Sequence, residues 1–355
     1  MNNIKKIQQA LPENVDAVLL LSTFNQRYAT GFALTDGAVI VGKKSAWLVT
    51  DSRYIEAVRL QVTGVEFALM SQSMKLDDWI KKIVSEMEVK TLGVEEASIS
   101  YADYCKYDKL LEAKLVPVQS VFGTLRASKS AEELDIMIKA QRIAEGALDQ
   151  VLGLIRPGMT EHELAAELNY RMMCGGADGI SFDTIAVTGS KTSMPHGVPG
   201  DKVIAEGDFV TMDFGCIKDG YCSDMTRTVA IGSVTDEMRK VYETVLEAQL
   251  TGIAAARPGV TGRDIDAAAR AVIDKAGYGE YFGHSFGHSL GLEIHEAPNA
   301  APGNDKPMPV GATISAEPGI YIPGRFGVRI EDVLYLGEDK TVDITLAPKE
   351  LIIIK

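Results

Sequence analysis

The chain has 355 residues, of which 46% are apolar and 24% charged, so it suits two ordinary globular domains with core enough to fold unaided. That composition excludes disordered, collagenous and coiled-coil chains. With 36 basic against 49 acidic side chains the net charge is −13, and so acidic a surface repels phosphate backbones and anionic lipid; neither nucleic acid nor membrane is expected as a partner.

The most apolar early stretch, residues 15–21, is far short of the roughly 20 residues a spanning helix needs. Its acidic flank, with Glu13 and Asp16, does not suit a signal peptide. Cys105, Cys174, Cys216 and Cys222 form no CxxC pair and read as free, mostly buried thiols of a reducing compartment. A cytoplasmic protein is expected.

Short apolar runs predict strands at residues 17–22, 38–41, 45–50 and 91–94, and helical spacing predicts helices at 51–61 and 76–87. This is an α/β pattern with a mostly parallel or mixed sheet. The polar stretch 122–130, FGTLRASKS, reads as a linker, which divides the chain into domains at 1–123 and 124–355. Ser130 and Glu133 then fit a capping box opening a long helix with apolar positions from Leu134 to Ile155, stopped by Arg156-Pro157-Gly158. Thr160 and Glu163 open a second helix toward Met173 in the same way.

Arg156-Pro157-Gly158-Met159-Thr160 recurs as Arg257-Pro258-Gly259-Val260-Thr261, an offset of 101 residues. The match continues as Glu163 with Asp264, Leu164 with Ile265 and Ala166 with Ala267, and each copy lies between two amphipathic helices. A second domain of two related halves is expected, with a cleft between them as a natural site.

Residues 209–216 and 222–231 are strand-like. With Ile217-Lys218-Asp219-Gly220 as a four-residue hairpin loop, Cys216 faces Tyr221 and Asp213 lies directly opposite Asp224. Opposed side chains stand about 5 Å apart, and two carboxylates there repel unless a cation lies between them. The plain alternative is a pair pointing into water, but the neighbours of Asp213 in FVTMDFG call for burial, and aspartate is almost never buried unpaired.

Histidine is scarce, five in all, yet His284, His288 and His295 fall within twelve residues. The spacing of the first two resembles a zincin helix, but Ser285 stands where a glutamate would follow, and Gly283, Gly287 and Gly291 disfavour a helix. A Gly-rich strand or loop presenting one or two imidazoles fits better; a satisfied core histidine is the alternative for each singly. Late in the chain, 313–317 reads as a strand ending in Glu317, and 328–336 as one strand carrying Arg329 and Glu331. Taken alone, either glutamate reads as a solvated edge charge. Together the four carboxylates carry −4, which matches two divalent cations. An oxygen-rich set with imidazole suits Mn²⁺, Co²⁺ or Fe²⁺ about as well as Zn²⁺, with Mn²⁺ taken first.

In the order Asp213, Asp224, His288, Glu317, Glu331, and in the strings MDFGCIKDGYCSDMTRT, SMPHGVPG, GHSFGHSLGLEIHE, SAEPGIYIP and GVRIED, the chain resembles the pita-bread metallopeptidases. That group includes methionine aminopeptidase, aminopeptidase P and prolidase. RYATGF and VTDSRY resemble the creatinase-like N-terminal domain of the last two, so the likeness spans essentially the whole chain. It implies an α+β protein, a creatinase-like α/β domain followed by a pita-bread catalytic domain with an internal pseudo-twofold.

The resemblance implies that Asp213 chelates one metal, that His288 and Glu317 bind the second, and that Asp224 and Glu331 bridge. Glu317 would also take the proton of the attacking water. His196 and His295 would contact the scissile region, His284 would lie near the substrate proline, and Arg329 would orient Asp224 or Glu331. Tyr321 is a weaker candidate, read equally well as core. A homodimer is implied, with Asn25, Arg27 and Tyr28 offered to the partner's cleft, although ordinary surface roles serve as well.

The expected reaction is release of an N-terminal residue that precedes proline, from peptide substrates. Strict Xaa-Pro dipeptidase, methionine aminopeptidase and a non-catalytic binding protein on the same fold are the rivals. The extra N-terminal domain disfavours the second, and the intact ligand set disfavours the third. Prolidases typically place an arginine between the second active-site histidine and the EPG glutamate. Residues 296–316 contain none, and their one cation, Lys306, reads as solvated. A buried free carboxylate needs a cationic partner, so the aminopeptidase is preferred.

Overall fold

The computed structural model describes residues 2–355. The chain divides into two compact units, up to Arg126 and from Ala127 onward.

The first unit runs α1 (Ile4–Ala10), β1 (Ala17–Leu20), α2 (Thr23–Thr30), β2 (Gly37–Gly42), β3 (Ala46–Thr50), α3 (Ile55–Gln61), β4 (Glu66–Leu69), α4 (Leu76–Glu86), β5 (Thr91–Val94), α5 (Tyr101–Leu110), β6 (Lys114–Pro117) and α6 (Gln119–Ala127). Its six strands form one mixed sheet in the order β4-β3-β2-β1-β5-β6. The central strands AVLL and AVIV are buried throughout, as unbroken apolar runs must be when helices cover both faces. The sequence reading passes over β4 and β6. Both are edge strands of mixed composition, with Glu66 and Lys114 exposed and Pro117 ending the second, so neither carries an apolar signal.

The expected linker is largely helix. α6 covers 119–127, buries Phe122 and Arg126, and the Arg126 guanidinium donates to Asn25 Oδ1 at 3.0 Å. Its polar composition hid one apolar face. Asn25 and Tyr28, offered above to a partner, are instead 1% exposed. Asn25 donates to Glu95 at 2.6 Å and Tyr28 donates to the Leu125 carbonyl at 3.3 Å, so both serve the interior of this unit.

The second unit continues with α7 (Ala131–Leu152), α8 (Glu161–Cys174), β7 (Gly179–Ile180), β8 (Ile185–Thr188), β9 (Phe209–Phe214), β10 (Cys216–Lys218), β11 (Tyr221–Cys222), β12 (Met225–Ile231), α9 (Asp236–Ala255), α10 (Gly262–Lys275), β13 (Gly287–Ser289), β14 (Glu296–Ala300), β15 (Ala312–Ala316), β16 (Gly319–Ile322), β17 (Phe326–Arg329), β18 (Asp332–Leu336), β19 (Thr341–Asp343) and β20 (Ile353–Ile354). Both expected capping boxes form, Ser130 with Glu133 and Thr160 with Glu163. α7 ends at Leu152, earlier than Arg156, with Gly153 at its C-cap.

The repeat is physical. Thr160 caps α8 and Thr261 caps α10, each accepting from the backbone N–H three residues on. Gly158 N–H donates to Ile204 and Gly259 N–H to Met308, both at 2.9 Å. Thr160 bridges Val203 as Thr261 bridges Pro307. Each half thus joins a helix pair to an extended segment in the same way. The first half packs α7 and α8 on β9 and β12, through Leu148, Leu164, Met212 and Val229; the second packs α9 and α10 on β15 and β18, through Val245, Ile265, Ile314 and Leu334.

Candidate metal centre

Asp213 sits on β9, which pairs antiparallel with β12. The hairpin between them is tighter than expected. Asp219 and Gly220 form a two-residue turn with φ of 47° and 87°, the doubly left-handed geometry that suits Asp-Gly. One register therefore runs through Lys218↔Tyr221, Ile217↔Cys222 and Met225↔Phe214, and Asp213 opposes Thr226 rather than Asp224. Because the side-chain period of a strand is two, Asp224 stays on the cavity side, two residues before Thr226.

The expected strand 328–336 is broken. β17 ends at Arg329 and β18 starts at Asp332, because the Glu331 N–H leaves the hairpin to donate to the Thr226 carbonyl at 3.1 Å. This joins the two halves and aims Glu331 inward, 2% exposed, where Thr226 Oγ1 donates to its Oε2 at 2.7 Å. Glu317 follows β15; its N–H donates to the Phe286 carbonyl at 2.9 Å and its Oε1 accepts from Ser315 Oγ at 3.0 Å. Neither glutamate is a solvated edge charge.

His288 lies on β13, not on a helix. Its Nδ1 stands 3.2 Å from the Ser289 carbonyl, which can only accept, so Nδ1 holds the proton and Nε2 presents its lone pair. Nε2 is 3.4 Å from Glu317 Oε1 and 3.6 Å from Asp224 Oδ2. Three acceptors facing one another beyond hydrogen-bond reach are arranged as ligands around a cation are. Ligand atoms of Asp224, His288 and Glu331 all lie within 4.8 Å of one another.

Two further observations test the fit. Asp213 Oδ1 and Asp224 Oδ1 are buried without a hydrogen-bond partner, a costly condition that a cation relieves. Burial, and then the carboxylates of Asp213 and Glu317, push the Asp224 carboxyl well above the usual range; burial, then Asp224, Glu317 and Asp213, does the same to Glu331. Burial also raises Glu317, against the opposing pull of His284 and Arg329. Burial lowers His288, which keeps its imidazole neutral. The donor set fits divalent cations.

Arg329 is 3% exposed and bonds Asp213 Oδ2 at 2.6 Å, not Asp224 or Glu331 as expected. It reaches Glu331 only through Thr226 Oγ1, which accepts from Arg329 Nε at 3.0 Å. Arg329 Nη1 donates to Tyr321 Oη at 2.9 Å, Tyr321 to His284 Nε2 at 2.9 Å, and His284 Nδ1 to the Ser285 carbonyl at 2.8 Å. Tyr321 thus ties together two cavity-lining residues, His284 and Arg329, rather than serving as plain core. Both nitrogens of His284 are engaged, and its ring packs against Phe282 and Tyr321. His295 packs edge-on against His288 with centroids 4.3 Å apart. All nine residues expected from the sequence line one cavity of about 560 Å³, His196 and His295 among them.

Sequence reasoning missed Thr226 and Ser315, which hold Glu331 and Glu317. Both stand two residues along the strand from a ligand candidate, so alternation could have found them. It also missed the apolar wall of Phe182, Ile185, Pro195, Val198 and Ile294. Among the described residues lining the cavity, Arg329 is the one arginine or lysine; Lys306 is exposed elsewhere.

Comparison with known proteins settles the family. The Creatinase/Prolidase N-terminal domain profile matches residues 3–128, and that of metallopeptidase family M24 matches residues 135–338. The chain belongs to metallopeptidase family M24. Its architecture is the creatinase N-terminal domain followed by the pita-bread domain, as the sequence led us to expect. An Xaa-Pro dipeptidase structure from Bacillus anthracis superposes with a TM-score of 0.95 at 41% identity, covering 99% of each chain. An X-Pro aminopeptidase structure from Thermotoga maritima MSB8 gives 0.93 at 34%, covering 98% of this chain and 100% of the other. An Xaa-Pro dipeptidase of Pyrococcus horikoshii is 36% identical over 353 residues, 98% of each chain. M24 membership makes this a peptidase family that works with divalent metal. No helix among the described residues is long and apolar enough to cross a membrane.

Proposed function

We propose that this M24 chain is a dinuclear Xaa-Pro aminopeptidase, hydrolysing the bond between an N-terminal residue and a following proline, with Mn²⁺ the first choice of metal. The observation that carries the reading is the convergence of Asp213, Asp224, His288, Glu317 and Glu331 on one cavity, with two buried carboxylate oxygens lacking any partner. Asp213 would hold one cation, His288 and Glu317 the other, and Asp224 and Glu331 both. Bound there, the cations supply Lewis acidity toward water and the scissile carbonyl.

The side chains do the rest. Glu317, its carboxyl raised toward neutrality by burial, accepts the proton of the attacking water and passes it to the departing proline nitrogen. His295, held neutral by burial, and His196 donate hydrogen bonds to the developing negative charge. Arg329 fixes the rotamer of Asp213, and the His284 ring packs against proline. The protein acts in this reading as a cytoplasmic homodimer; sedimentation at micromolar concentration checks the dimer, and a monomer would contradict it.

A strict Xaa-Pro dipeptidase is the second reading, favoured by the names of the Bacillus anthracis and Pyrococcus horikoshii relatives. A dipeptidase must recognise the free proline carboxylate. Arg329 is already committed to Asp213, Tyr321 and the Pro195 carbonyl, which leaves no uncommitted arginine or lysine among the described residues of the cavity wall. The metal-loaded enzyme is therefore expected to cleave Xaa-Pro-Yaa with kcat/KM at least equal to that for Xaa-Pro. Untouched tripeptides beside cleaved dipeptides would decide for the dipeptidase.

A further inference from the structure

His196 stands on a loop, residues 188–200, that follows β8 and supplies Pro195, His196, Gly197, Val198 and Pro199 to the cavity wall. His196 and Val198 are exposed, so the loop tip has little packing of its own. Each end has its own ties, Lys202 Nζ donating to the Thr188 carbonyl at 2.8 Å and the His162 N–H to the Gly200 carbonyl at 3.1 Å, and one side chain reaches both. Glu161, the first residue of α8, is fully buried. Its Oε1 accepts from the Thr188 N–H at 2.9 Å, and its Oε2 accepts from Lys191 Nζ at 2.7 Å and the Gly200 N–H at 3.0 Å. One carboxylate thus holds both ends of the loop. Farther along, Thr192 Oγ1 accepts from the Gly327 N–H at 2.8 Å, and the Pro195 carbonyl accepts from Arg329 at 3.2 Å.

The helix does not need this carboxylate. α8 is capped by Thr160 and Glu163. In the second repeat copy the matching position is Gly262, and α10 is capped by Thr261 without it. There a Cβ would stand 2.2 Å from the Asn299 carbonyl, so backbone fills the space that Glu161 fills in the first half. The two halves share the helix start and differ in what lies against it.

We infer that Glu161 is a positioning residue for His196, clasping the two ends of its loop so that the imidazole meets the substrate in one place. The inference rests on the reading above of His196 as a substrate contact. A charged carboxylate accepting two backbone N–H groups and an ammonium is a strong, directional tie. Glutamine in its place accepts with one oxygen only and turns an amide NH₂ toward donors.

The test is a double-mutant cycle on the full-length, metal-loaded enzyme with Ala-Pro as substrate. Glu161→Gln is expected to lower kcat roughly 10- to 100-fold, the cost of a misplaced group, while bound metal per chain is unchanged. In a His196→Ala background the same change should cost less than about twofold, because the residue being positioned is gone. A purely structural role would give the same loss in both backgrounds, and that result overturns the inference while leaving the functional reading intact. Loss of metal in Glu161→Gln overturns it too. Should Glu161→Gln fail to fold, Lys191→Met keeps the carboxylate and both amide bonds; a smaller loss that vanishes with His196→Ala supports the inference, and equal losses overturn it. A wild-type enzyme inert on both Ala-Pro and Ala-Pro-Ala overturns the functional reading and the inference together; a fully active His196→Ala overturns the reading of His196 as a substrate contact and the inference with it.

Discussion

Asp224→Asn is expected to abolish peptide hydrolysis and reduce bound metal while leaving the protein folded. Asp224 is 3% exposed, its Oδ1 has no partner, and its Oδ2 faces His288 at 3.6 Å. A neutral amide of the same size cannot serve two cations. The sign of the stability effect follows from the raised carboxyl. A folded-state pKa above the unfolded one means that stability is lost as pH rises through that window, so burying the Asp224 carboxyl costs the metal-free fold stability at neutral pH. Metal-free Asp224→Asn should therefore melt no lower than metal-free wild type at pH 7. Turnover, bound metal and melting temperature check the three parts. Undiminished turnover would sink the two-cation assignment.

Glu317→Gln should cost about 10²- to 10⁴-fold in kcat, the usual worth of a positioned general base. The amide keeps an oxygen for the Ser315 hydroxyl, which donates to Glu317 Oε1 at 3.0 Å, so β15 and its register should persist. What is lost is the ability to take a proton, together with the charge that would help His288 hold the second cation, which is why the assay is run at saturating metal. Steady-state kinetics at saturating Mn²⁺ checks this; a variant within threefold of wild type would remove Glu317 from the proton path.

How far the site could be read from sequence depended on the kind of signal. Asp213, Asp224 and the histidine cluster stood out as groups the local pattern cannot justify: carboxylates in strands that call for burial, and scarce imidazoles among glycines. Glu317 and Glu331 taken singly looked like edge charges; they counted only beside Asp213, Asp224 and the imidazoles, where four carboxylates match two divalent cations, and the likeness to a family then gave each its role. What fails to show locally is decided by tertiary contact. Thr226 breaks the strand at Glu331, and nothing within 328–336 announces it. The register of Asp213 hinged on Asp219-Gly220 forming a two-residue turn, which a stricter use of the Asp-Gly rule would have found. Tyr321 matters only through its bonds to His284, 37 residues away, and to Arg329, which in turn bonds the distant Asp213. Glu161 reads as an ordinary acidic residue in a first helical turn, and its two backbone partners lie 27 and 39 residues away.

The most direct test of the two-cation peptidase is a titration. Chelated, metal-free protein is given Mn²⁺ in steps, and bound metal per chain is measured beside cleavage of an Xaa-Pro-Yaa peptide and its Xaa-Pro dipeptide. The expected result is no cleavage without metal, activity that rises as the site fills to two ions per chain, and release of the first residue from both substrates. Full activity in the metal-free protein, or saturation at a single ion with no further gain, would contradict the account.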